Sequence, residues 1–161
     1  MVTNLTTQLN KNQILKLRPS EVAKALLTLK GRPLSLDPDY APFSLIYDVT
    51  PQTLSLQAGR QLGKSVSLGA MIVANSIVRS HFSTLFTSPL SQQTSRFSSS
   101  YLSPFLNSPL IRKHFIDSSS RDNVFSKSFN NGSSVVLGYA DTELAADRIR
   151  GVFADMLLMD K

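Results

Sequence analysis

The chain contains no cysteine and no tryptophan, and only two histidines among its 161 residues. Without cysteine, disulfides and thiolate metal sites are excluded, which is the profile of a protein from a reducing compartment. With His81 and His114 alone, an imidazole metal site is not expected, and both read as surface or helix-end residues. Long apolar runs are missing as well. The longest compact one, Ala70-Met71-Ile72-Val73-Ala74, stops at Asn75, far short of the roughly 18–20 residues that cross a bilayer. Met1-Val2-Thr3-Asn4-Leu5-Thr6 has neither the basic start nor the apolar stretch of a secretory leader, so the expectation is a product that stays in the cell that makes it. Acidic residues are in the minority: 11 Asp+Glu face 17 Lys+Arg, a formal net charge of +6. Spread along the chain, that excess suits a polyanionic partner such as DNA or a nucleotide without forming a concentrated patch. No internal repeat is visible, and the length with 42% apolar residues suits a single folded unit.

What is present reads as alternating helices and strands. Ser20 is placed to cap a helix whose stripe is Val22, Ala25, Leu26 and Leu29, with Gly31 and Pro33 ending it. Residues 37–51 read as irregular chain carrying Tyr40, Pro42, Phe43 and Tyr47. Thr53-Leu54-Ser55-Leu56-Gln57 alternates like a short strand, and residues 65–82 form a helix apolar on most faces. Thr84-Leu85-Phe86-Thr87 is a second strand, closed by Ser88-Pro89. From Ser91 a helix carries Phe97, Tyr101, Leu102 and Phe105 on one side; these large residues among the serines argue against a disordered linker. Residues 124–129, the turn Asn130-Asn131-Gly132 and residues 133–139 have the pattern of a hairpin, since Asn and Gly tolerate the positive φ of tight turns. A polar segment with Asp141, Glu143, Asp147, Arg148 and Arg150 leads to Gly151, and Met156-Leu157-Leu158-Met159 reads as an apolar strand ending in Asp160.

Chemistry concentrates at Ala58-Gly59-Arg60-Gln61-Leu62-Gly63-Lys64-Ser65, a phosphate-binding loop with Ala in the first glycine position, set between an expected strand and an expected helix. In such a loop Gly63 lets the backbone approach phosphate, and successive N–H groups aim at the anion with the helix dipole behind them. Lys64 would reach the β- and γ-phosphates of ATP, and Ser65 would give Mg²⁺ a hard oxygen ligand. The complementary half of the site is an acid at the end of an apolar strand, the place Asp160 takes. Taken alone, that acid is a weak signal, because many core strands end in a solvated carboxylate.

Together these pieces resemble the large, motor subunit of tailed-phage terminases, the ATPases that drive double-stranded DNA into preformed capsids. The likeness covers residues 40–161 and rests on Tyr47-Asp48, the loop through Ser65, Thr87-Ser88-Pro89, Ser128-Phe129-Asn130-Asn131-Gly132-Ser133, and Asp147-Arg148-Ile149-Arg150-Gly151 ahead of the acidic strand. It implies an α/β three-layer P-loop sheet of the ASCE type, incomplete at its C-terminal side. Residues 1–39 are then a leader with an amphipathic helix, and 40–161 the N-terminal part of the ATPase domain. The likeness also implies that Arg60 stabilises charge on the γ-phosphate and that Arg148 or Arg150 acts as a sensor or a finger toward a neighbouring subunit. The plain alternative is a surface arginine, with Arg148 paired to Glu143 or Asp147. Phe43, Tyr47 and Gln52 fall where related motors hold adenine, although aromatic residues in connectors also serve simply to cover a core.

The implied partners are DNA, the small terminase subunit and the capsid portal, in a homo-oligomeric ring in the host cytoplasm, with no membrane. One departure bears on turnover: the family places a Glu after the metal-binding Asp, and here Lys161 follows Asp160. A charged lysine cannot accept a proton from water, which implies nucleotide binding with little hydrolysis. The other departure is length. The later ATPase elements and the nuclease domain of the family lie beyond this sequence, so the expected last strand has one unpaired side and the domain is expected to be marginally stable and to self-associate. The alternatives are a silent nucleotide-binding or assembly module, and another P-loop ATPase such as a helicase.

Overall fold

The structure, a computed structural model, describes residues 11–34, 46–48, 53, 55, 57, 62–116 and 123–160. The elements in order are α1 (Lys11–Ile14), α2 (Pro19–Leu26), β1 (Thr28–Leu29), β2 (Arg32–Pro33), α3 (Lys64–Val78), β3 (Ser83–Ser88), α4 (Ser91–Phe97), a π-helical turn (Ser98–Leu102), α5 (Ser103–Leu106), α6 (Pro109–His114), β4 (Ser126–Ser128), β5 (Ser134–Tyr139), α7 (Glu143–Ile149) and β6 (Met156–Met159). This is an α/β architecture around a mixed sheet. The strand order is β4-β5-β3-β6, with β3 parallel to both β5 and β6 and β4 antiparallel to β5.

Side-chain alternation along the strands divides the sheet into two faces. In register, Thr84 lies beside Val135 and Met156, and Phe86 beside Leu137 and Leu158, so these six share one face. Phe86, Val135 and Leu137 join the buried residues of α2, α3, α4 and α5 in one core, with Met156 and Leu158 packed against it. Phe86 stacks on Phe97 of α4 with ring centroids 3.8 Å apart and planes within 8°. The opposite face receives α7, whose Ile149 sits against Gly138 so closely that a Cβ there has no room. On that second face Leu157 and Met159 of β6 are exposed, and no strand pairs with the outer edge of β6 among the described residues.

Helix α3 is central because residues 69–77 are buried without interruption, as the helix expected to be apolar all round requires. It packs on α2 and on the π-helical turn. An added Cβ on Gly69 would stand 2.5 Å from the Tyr101 carbonyl oxygen and 3.0 Å from its carbon, so only glycine lets this backbone approach. Gly69→Ala gains helix propensity of about 1 kcal/mol. Overpacking against rigid backbone costs about 1–3 kcal/mol, so the net change is expected to be destabilising and visible as a lower urea midpoint. The serine-rich stretch is folded, as its aromatic spacing predicts: Phe97, Leu102 and Phe105 are buried, and Ser98 donates to the Val124 carbonyl at 2.8 Å.

The expected hairpin is present, and it also closes α3. Asn131 Nδ2 donates to the carbonyls of Ser76, Ile77 and Arg79 at 2.8, 3.1 and 3.0 Å, while His81 N–H donates to the Asn131 carbonyl at 3.1 Å. A turn amide thus satisfies carbonyls that the helix end leaves unpaired.

Three local expectations are corrected, and one segment left without an element gains one. Ser20 does not cap its helix: Arg18 holds the cap position, its N–H donating to the Glu21 carboxylate at 2.8 Å, and the N–H and hydroxyl of Ser20 donate to Asp48 at 2.9 and 2.5 Å. The helix ends at Leu26 rather than at Gly31, because Thr28 and Leu29 pair with Arg32 and Pro33 in a two-stranded ribbon. Thr53, Ser55 and Gln57 lie in no strand and are exposed; alternation supplies a face, whereas a strand needs a ladder partner. The polar segment around Glu143 is a helix, α7, capped by the Thr142 hydroxyl, which accepts from Ala145 N–H at 3.2 Å.

Candidate functional site

Of the expected loop, Leu62, Gly63, Lys64 and Ser65 are described; Ala58, Gly59, Arg60 and Gln61 lie outside the described residues, as do Phe43, Gln52 and Lys161. Gly63 stands at the head of α3 with φ 79° and ψ 14°, a left-handed conformation that costs a Cβ-bearing residue about 1 kcal/mol or more. Its carbonyl accepts from Ser67 N–H at 2.9 Å and so opens the helical ladder. No side chain caps this end, and no acidic residue lies in the first turn. The first turn of this fifteen-residue helix therefore offers main-chain donors and a positive dipole end with no acid of its own. Leu62 is exposed, and Lys64 and Ser65 are half-buried.

The direction of α3 follows from its other end. Asn131, just ahead of β5, holds the α3 C-terminus at the side of the sheet where β5 and the parallel β3 begin. The parallel strands β3, β5 and β6 finish at the opposite side of the sheet. Asp160 follows β6 on that same side, tied by its N–H to the Thr87 carbonyl at 3.0 Å. Asp160 thus stands at the finishing end of the parallel strands, the end at which open α/β sheets bind ligands. Ser88 and Thr94 mark that end too, with their hydroxyls 2.7 Å apart and Thr94 Oγ1 donating to the Gly138 carbonyl at 2.9 Å.

A hydroxyl and one carboxylate are few protein ligands, and no group of three or more His, Cys, Asp or Glu side chains able to hold a metal occurs among the described residues. That donor set fits Mg²⁺, which keeps several waters and takes its remaining oxygens from phosphate. It does not fit a protein-caged transition metal.

The other expected site residues are distributed differently. Tyr47 is only 1% exposed and belongs to the core, leaving no ring face open to a ligand. Its hydroxyl hydrogen-bonds with Ser67, and burial pushes its pKa up to about 12. Because the folded pKa exceeds the unfolded value of about 10, the native chain keeps this proton longer, and stability present below pH 10 is lost as pH rises toward 12. Urea unfolding is therefore expected to show a loss of about 2–3 kcal/mol from this group between pH 9 and pH 12. Tyr47→Phe, which removes the titrating group, is expected to lose less over the same interval. Arg150 pairs with Asp147 at 2.9 Å, with both side chains largely exposed; such a pair contributes about 0–1 kcal/mol. Arg148 lies in α7.

Two anchors escaped the sequence reading. Asp48 ties the short helical turn 46–48 to the start of α2, and Asn131 closes α3. Neither has a local signal, because each partner is far away in sequence. Among the described residues no helix is long and apolar enough to cross a membrane. No protein-family model matches the chain and no curated protein matches it, so the likeness drawn from its motifs stands on those residues alone.

Proposed function

We propose that the chain binds ATP with Mg²⁺ through a P-loop on a three-layer sheet of the ASCE type, as the nucleotide-binding portion of a DNA-packaging motor of the terminase kind. The observation that carries this reading is the left-handed Gly63 at the head of α3, whose first turn holds Lys64 and Ser65 and no acid, with Asp160 following the apolar strand β6. Main-chain N–H groups of the loop hold phosphate oxygens, Lys64 neutralises them, and Ser65 with Asp160 holds the metal. Arg60 is assigned to γ-phosphate charge, and Arg148 or Arg150 to a neighbouring subunit's nucleotide. Bound Mg²⁺ supplies charge neutralisation across the phosphates. DNA, a small subunit, a portal and a ring of copies are the partners of the assembled motor.

A second reading is favoured by Lys161 at the position after Asp160, where a water-polarising Glu is expected: nucleotide binding without turnover. One experiment addresses both. Titration of a fluorescent ATP analogue with and without Mg²⁺, alongside an assay of phosphate release, is expected to show saturable, Mg²⁺-dependent binding. Release at a steady rate supports the motor, binding without release supports the silent module, and no saturable binding overturns both.

A further inference from the structure

Asn131 and Gly132 form the one Asn-Gly pair in the sequence, and their turn sits against the C-terminal end of α3, away from the Gly63 end of that helix. Asparagine is among the chemically labile side chains, and a following glycine exposes it most, because no side chain shields the next main-chain nitrogen. The reaction needs only water. The Gly132 nitrogen bonds to Asn131 Cγ as its proton passes to solvent base, the Cγ–Nδ2 bond breaks, and Nδ2 leaves as ammonia. Water then opens the succinimide ring at either of its carbonyls. The product is a carboxylate, as aspartate or as isoaspartate with the main chain rerouted through Cβ.

In the folded chain both reacting groups are held. The three helix-end carbonyls of Ser76, Ile77 and Arg79 engage Asn131 Nδ2, and Asn131 Oδ1 accepts from Ser133 N–H at 3.1 Å. The attacking nitrogen is occupied too: Gly132 N–H donates to the Phe129 carbonyl at 3.0 Å. Swinging the amide over Gly132 therefore requires releasing the end of α3. Water is at hand, since Gly132 is exposed and Asn131 half-buried, so the limiting step is opening rather than access.

The product does not fit where the reactant sat. Nδ2 supplies hydrogens to carbonyl oxygens; a carboxylate has none, and it sets a negative charge against the negative dipole end of α3. Isoaspartate also lengthens the main chain of a turn that has no slack: Gly132 lies at φ 81° with the His81 ring so close that an added Cβ would stand 2.5 Å from Nδ1.

We propose that Asn131 is a modification site that deamidates spontaneously when the hairpin lets go of α3, leaving a chain that cannot cap α3 again. Opening is thereby recorded as a permanent covalent change, and modified copies leave the folded pool. The site is separate from Lys64 and Ser65 and stands without the nucleotide reading.

The test follows the peptide carrying residue 131 by mass spectrometry while the full chain is incubated in folding buffer or in guanidinium chloride above its unfolding midpoint. Conversion at Asn131 is at least about tenfold slower in folding buffer. Ser133→Ala loosens the same closure without altering the reacting pair, because the Ser133 hydroxyl donates to the Arg79 carbonyl at 2.6 Å and accepts from Phe82 N–H at 3.0 Å. It speeds conversion about tenfold in folding buffer and leaves the rate in denaturant unchanged. Asn131→Asp, which stands for the aspartate product, lowers the folded-to-unfolded ratio about a hundredfold or more, further than Asn131→Ala does. Should Asn131→Asp not fold at all, parent chain modified in denaturant and returned to buffer gives the same readout: protease digests the modified copies and spares the unmodified ones. Equal rates in folding buffer and denaturant overturn the proposal, as does a modified chain that regains the parent's unfolding midpoint.

Discussion

Lys64→Ala is expected to weaken Mg²⁺-dependent ATP binding by about a hundredfold or more. Removing one member of a partly desolvated charge pair costs about 2–5 kcal/mol, and each 1.4 kcal/mol is about tenfold in affinity. Lys64 is half-buried as the first residue of α3, where the helix dipole already favours an anion, so its ammonium and the amide donors act on the same phosphates. The contrast is with Leu62, which is exposed and contributes main chain only. Leu62→Ala is expected to stay within about threefold of the parent, because its N–H is untouched. Titration of the same ATP analogue into both variants, with circular dichroism to show that each is folded, separates a main-chain cradle with one charged arm from nonspecific basic attraction. Equal binding by the parent and Lys64→Ala contradicts the proposed site.

Phe86→Ala is expected to remove about 3–5 kcal/mol of stability, the range for deleting a buried aromatic ring from a core that only partly collapses. Phe86 is 1% exposed, lies on β3 between β5 and β6, and stacks on Phe97 at 3.8 Å. It therefore joins the sheet to α4. A domain's whole net stability is about 5–15 kcal/mol, so the variant is expected to unfold at a much lower urea midpoint, with a slope little changed. Phe86→Leu keeps apolar volume and is expected to lose about 1–2 kcal/mol. A loss under about 1 kcal/mol for the alanine variant would contradict the packing of this face.

The sequence was most informative where a signal is local and repeated. The continuous burial of α3, the short run of β3 closed by Ser88-Pro89, the Asn-Asn-Gly hairpin and the aromatic stripe through the serine-rich helices are patterns of neighbouring residues, and each is present. The candidate site was legible for the same reason: Gly63, Lys64 and Ser65 are contiguous and lie at a predicted helix start. Errors fell where the deciding partner is remote. Ser20 reads as a cap until Asp48, 28 positions away, takes its N–H and hydroxyl. The helix after Pro19 reads on to Leu29 until the ribbon claims Thr28 and Leu29.

The amino-acid order by itself determined α3, β3, the hairpin and the net positive charge, because periodicity, turn chemistry and composition act over a few neighbouring positions. Only the tertiary structure decided that β3 lies between β5 and β6, that Tyr47 is core, that Asp48 holds Ser20 and that Asn131 closes α3. Those outcomes depend on strand order and on contacts between residues tens of positions apart, where burial and hydrogen-bond satisfaction across the whole chain select one arrangement.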